Sequence, residues 1–88
     1  MAIPADVLRD IPTGVSAFVG RHLRDLRVRK RFTQQEVAEL MGSLGFGWDQ
    51  TIVAKIELGL RRVTVDELAG LVVMFDVSVD TLFPRLDA

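Results

Sequence analysis

The sequence predicts an all-α fold, a single bundle of five helices. Apolar residues recur at three- and four-residue steps in one segment after another. Two Ser/Thr-x-x-Glu capping boxes, Thr33 with Glu36 and Thr64 with Glu67, mark helix starts. No segment alternates with period two, so no strand is expected. At 88 residues the chain has room for one small core and little stability to spare.

Residues 1–14 read as an N-terminal arm and residues 15–86 as the folded domain. Pro4 fits the first position of a short helix carrying Val7, Leu8 and Ile11, which Pro12 and Gly14 break. Two readings of the arm stand: it tucks those apolar residues onto the body, or it contacts a second copy. The first long helix is expected over Val15 to Lys30. Its buried stripe is Val15, Val19, Leu23 and Leu26, joined by Phe18 and His22. Arg21, Arg24, Arg29, Lys30 and Arg31 mostly face elsewhere, as a solvated face with pairs such as Arg21–Asp25 or as phosphate contacts. His22 is the single histidine and sits among apolar neighbours, the usual setting of a packing residue.

The centre of the chain is Thr33 to Gly59, two short helices joined by a glycine-rich turn. Val37, Leu40, Met41 and Leu44 give the first of these one apolar face. Asp49 offers a cap for the next, whose inner face is Val53 and Ile56 with Ile52. Gln50, Thr51, Ala54 and Lys55 fall on its outer face. A short helix held from behind, with amides and a cation outside, can enter a major groove and read base edges.

TQQEVAELMG, followed by Gln50-Thr51-Ile52-Val53-Ala54-Lys55-Ile56-Glu57-Leu58-Gly59, resembles the helix-turn-helix of lambda-repressor-like, Cro-type (XRE) regulators. The resemblance runs from about Val19 to Phe83. It implies a five-helix lambda-repressor-like bundle that binds double-stranded DNA with the helix at about 49–58 in the major groove. It implies base contacts from Gln50, Thr51 and Lys55, and backbone contacts from Gln34, Arg31, Arg61 and Arg62. Arg27 matches the arginine that pairs with the glutamate of the Ile-Glu-x-Gly signature, here Glu57. A fork donor on the first helix would then fix the angle of the third.

The turn departs from that family. Ser43, Leu44, Gly45, Phe46 and Gly47 are extra, and Trp48 replaces a small aliphatic residue. The second helix is expected to run on by about a turn, with Leu44 continuing its stripe and Gly45 or Gly47 as a left-handed stop. Phe46 and Trp48 would cover the gap. Trp48 reads as a core plug or as a phosphate donor through its indole N–H.

Arg61 and Arg62 follow Gly59 in a connection, either solvated or on phosphate. The fourth helix is expected to bury Val65, Leu68, Ala69, Val72 and Phe75. Ser78 is expected to cap a last helix carrying Val79, Leu82, Phe83 and Leu86, with Pro84 ending it near Phe83. Leu71, Val73, Met74, Leu82 and Phe83 are then surplus apolar surface, which fits the interface of a homodimer.

Composition narrows the function. The net charge of −1 hides an asymmetry. Residues 21–62 carry nine Lys/Arg and five Asp/Glu, and the rest carry two and seven. A basic centre between acidic ends suits a domain that turns one face to phosphate. With 49% hydrophobic and 26% charged residues the chain is an ordinary globule and not a disordered tail. The absence of cysteine rules out disulfides and thiolate metal sites and fits the cytoplasm, on the nucleoid when DNA is bound. MAIPADVLRD does not read as a signal peptide, and the longest apolar run, Leu71 to Phe75, is too short for a membrane. Gly42-x-x-Gly45-x-Gly47 lacks the Lys-Ser/Thr of a nucleotide loop, and no triad or ligand cluster is present. No enzyme activity, cofactor or metal is expected. The reading is a transcriptional regulator, a repressor, with phage immunity as one such role. The alternative is an interaction module or antitoxin working through the last two helices.

Overall fold

The computed structural model describes residues 13–84, and the Pro4–Ile11 segment and Leu86 lie outside them. Four α-helices follow one another: α1 Thr13–Arg29, α2 Gln34–Ser43, α3 Gln50–Glu57 and α4 Val65–Phe75. A 3₁₀ turn, Val79–Thr81, stands where the fifth helix was expected. Ser78 makes no capping hydrogen bond to it, and its hydroxyl donates to the Asp80 carboxylate. Among the described residues there is no strand.

Each helix starts and stops for a local reason. Thr33 and Thr64 each accept a hydrogen bond from the N–H three residues on, and Glu36 and Glu67 each accept one from the cap N–H. Asp49 caps α3 by accepting from the Ile52 N–H at 2.9 Å. α2 closes in a Schellman turn: Phe46 N–H donates to the Met41 carbonyl, Gly45 N–H to that of Gly42, and Gly45 has φ +98°. Gly45 is therefore the left-handed stop, but α2 gains no buried turn. Leu44 is 46% exposed and Leu40 lies at the surface, while Ala38 joins Val37 and Met41 inside. The apolar face is rotated from Leu40–Leu44 towards Ala38. α1 stops in the same kind of turn with Arg31, not glycine, in the left-handed position (φ +61°).

The core brings Leu23 and Leu26 of α1 against Val37, Ala38 and Met41, Val53 and Ile56, and Leu71 and Phe75. Trp48 and Leu82 complete it. α1 and α3 cross so closely that a Cβ on Gly20 would lie 2.1 Å from the Ile56 carbonyl oxygen.

α4 is rotated from the expected face. Its buried residues are Glu67, Leu71 and Phe75, one per turn, whereas Val65 is 83% exposed and Ala69 is also at the surface. Leu68 and Val72 are half-buried at the edges. Leu71 and Leu82, expected in a dimer interface, are fully buried within the chain's own core. Of the other residues expected there, Val73 is exposed and Met74 and Phe83 are half-buried.

Candidate nucleic-acid interface

α3 is fixed along its back by Val53 and Ile56, both fully buried, with Ile52 packed at the edge. Its outer face presents Gln50, Thr51 and Lys55, all exposed. Thr51 and Lys55 are one turn apart, and so are Gln50 and the half-buried Ala54. The Asp49 carboxylate is engaged as the cap of α3. Gly59, at φ +75°, stops the helix, and its Cα side lies against Ala17 of α1.

The C-terminal end of α3 is tied to α1 and α2 through Glu57. Arg27 Nε donates to Glu57 Oε2 at 2.6 Å, and Nη2 donates to Oε1 at 3.0 Å. Gln34 Nε2 adds a donor to Oε1 at 3.1 Å. The remaining arm of the guanidinium donates to the Phe32 carbonyl at 2.9 Å. Both side chains are largely buried. The hydrogen bond it donates to Glu57 raises the Arg27 pKa against the lowering effect of burial. Gln34, expected on a backbone phosphate, thus gives one amide hydrogen to Glu57 and keeps the other.

The N-terminal end of α3 is held through Trp48. Its indole Nε1–H donates to Glu67 Oε2 of α4 at 2.7 Å, so the ring is a core plug and its one donor serves a carboxylate. Arg61 Nη1 and Nη2 reach Oε1 and Oε2 of the same group at 3.1 and 3.0 Å. Thr64 N–H donates to Oε1 at 2.9 Å. Arg61 also lies over the indole face, 5.7 Å from the centroid. Burial pushes the Glu67 carboxyl up, but the donors from Arg61, Thr64 and Trp48 outweigh it and hold it at about 2, against an ordinary 4.5.

The expected backbone-contact residues therefore differ in their surroundings. Arg31 and Arg62 are exposed, whereas Gln34 and Arg61 are half-buried and bonded to carboxylates. Sequence reasoning did not find the Trp48–Glu67 bond. A signal existed, since the indole needs an acceptor and Glu67 is a nearby carboxylate in a capping box. His22 is half-buried, stacked on Phe18 with centroids 3.9 Å apart, and Nδ1 lies 2.9 Å from the Phe18 carbonyl oxygen.

The family described as helix-turn-helix domain matches residues 19–86. None of the curated proteins matches the chain. Among solved structures, the restriction-modification controller protein C.AhdI from Aeromonas hydrophila is similar at a TM-score of 0.67 and 29% identity, covering 77% of this chain and 91% of that one. The DNA-binding domain of BldD is similar at a TM-score of 0.68 and 32% identity, covering 82% of this chain and 97% of that one. The BldD DNA-binding domain of S. venezulae gives 0.65 and 33%, covering 80% and 97%. The chain therefore belongs to the helix-turn-helix domain family, and its fold is that of the lambda-repressor-like, Cro-type members.

Proposed function

We propose that the chain is a sequence-specific regulator of transcription that binds double-stranded DNA with α3 in the major groove, and that it acts as a repressor. One observation carries this reading. α3 is anchored along its back and at both ends, while Gln50, Thr51 and Lys55 stand free on its outer face. Gln can bind adenine through two hydrogen bonds, and Lys can donate to guanine. Arg31 and Arg62, both exposed, would contact phosphate, and so would the remaining amide hydrogen of Gln34 at the positive end of α2. Repression follows most simply from occupying a promoter. A second copy would extend the contact over a two-fold site, and the exposed Val73 with Met74 and Phe83 offers apolar surface for it.

Selection from a pool of random duplexes, followed by titration of variants, tests the scheme. Gln50→Ala should cost ~1–3 kcal/mol on the selected duplex and little on random sequence. Arg62→Ala should weaken both about equally and lower the salt slope by about one unit. Site preference left unchanged by alanine at Gln50, Thr51 and Lys55 alike would overturn the reading. It would favour an interaction module working through α4.

A further inference from the structure

Beside α3 an open cleft of about 540 Å³ runs between α1, the start of α2 and the C-terminal half of α3. Arg21, Arg24 and Asp25 of α1, Gln34 of α2, and Ala54 and Glu57 of α3 line it. We propose that this cleft grips a backbone phosphate of the DNA strand flanking α3, with Arg21 and Arg24 as the ligands. The proposal rests on the DNA-binding reading and adds α1 itself to a contact surface otherwise made by α2, α3 and the turns that flank them.

The charge state of the cleft supports it. The ion pairs among the described residues are Arg27–Glu57 and Arg61–Glu67. The one-turn pair of Arg21 with Asp25 is not among them, so both cleft arginines are exposed without a carboxylate partner among those residues. Glu57 adds little negative charge, because Arg27 neutralises it and three donors occupy its oxygens. Two guanidiniums against the single charge of Asp25 leave the cleft cationic. Guanidinium forks match the paired oxygens of a phosphodiester.

Position supports it as well. Ala54 lies one turn beyond Gln50 on α3, so the cleft opens where the reading face ends. A side chain as short as Ala54 leaves room there for a strand to approach. Gln34 stands on the same wall with one amide hydrogen not used by Glu57. An acidic peptide would meet the same charge, but a cleft that held only a peptide would leave the salt slope of DNA binding unchanged when Arg21 and Arg24 are replaced.

The test compares the wild-type chain, the Arg21→Ala/Arg24→Ala double variant and Asp25→Asn. Each is titrated with the selected duplex and with random duplex at several salt concentrations. The double variant should lose affinity for both duplexes by the same factor. Its salt slope should be shallower by about 0.9, the value for one phosphate contact. Asp25→Asn should bind both duplexes more tightly, a gain that misfolding cannot produce. A wild type that binds DNA, with both variants matching it in slope and affinity, would overturn the proposal and leave the DNA-binding reading intact. A wild type with no salt-dependent DNA binding would overturn both.

Discussion

Glu57 and Glu67 are both buried carboxylates held by an arginine fork and further donors, yet they secure opposite ends of α3. Glu57 sits on α3 itself and ties its C-terminus to α1 and α2 through three hydrogen bonds. Glu67 sits on α4 and acts at a distance, through the residues that bracket α3. Trp48 precedes the helix, Arg61 follows it, and with Thr64 they place four hydrogen bonds on one carboxylate. That uses roughly all the lone-pair sites a carboxylate has. The comparison shows how the longer turn after α2 avoids becoming slack: its last aromatic residue is bonded to another helix.

The largest expected effect falls on the first clamp. Glu57→Ala would leave a largely buried guanidinium without its partner and should cost about 3–5 kcal/mol of stability. Arg27→Ala should cost a similar amount, and the double substitution less than the sum. A denaturant-unfolding cycle measures the coupling. Additive effects below a kilocalorie would show that α3 is held mainly by its apolar back and by the second clamp.

The two clamps also differ in how far the sequence showed them. The Arg27–Glu57 pairing came with the motif, because both residues stand at places the Cro-type resemblance assigns. Glu67 was visible only as a capping residue. Periodicity arguments count apolar positions, and the inner stripe of α4 passes through this glutamate before Leu71 and Phe75. Leaving a charged residue out of the stripe rotated the expected face, exposed Leu71 on paper and enlarged the supposed dimer surface. Leu44 failed for a related reason. Its spacing continues the α2 pattern, but the chain leaves the helix there at Gly45. Gly20 gave no signal at all, since only the packed approach of the Ile56 carbonyl shows why a Cβ cannot fit.

A smaller effect should distinguish the second clamp by its response to acid. Glu67 is held near 2 against 4.5 ordinarily, so its charge stabilises the fold fully above the higher value. That contribution is lost as pH falls from about 4.5 towards 2, because protonation removes the group the three donors bind. Trp48→Phe keeps an aromatic ring but deletes one donor to a charged acceptor together with part of the buried indole, and should cost about 1.5–3 kcal/mol or more at neutral pH. Thermal melts of wild type and Trp48→Phe across pH 2–5 check both statements, the range being that of the cited shift. The variant should show a shallower loss of stability in acid. An acid limb equally steep in both proteins would mean that the indole does not stabilise the ionised carboxylate.

The smallest effect tests the turn that feeds the first clamp. Arg31 sits at φ +61°, and the turn it makes presents the Phe32 carbonyl to Arg27 Nη1. A non-glycine residue in that conformation is strained by roughly 1–2 kcal/mol, and glycine returns part of the relief as unfolded-chain entropy. Arg31→Gly should therefore stabilise the fold by about 0.5–1 kcal/mol in chemical denaturation. The same change removes an exposed cation expected at phosphate, so DNA affinity should fall on selected and random duplexes alike. Its salt slope should be lower by about one unit. Stability and binding would then move in opposite directions, as expected where a basic residue occupies a glycine position for its charge. A loss of stability would instead mean that the Arg31 side chain supports the clamp.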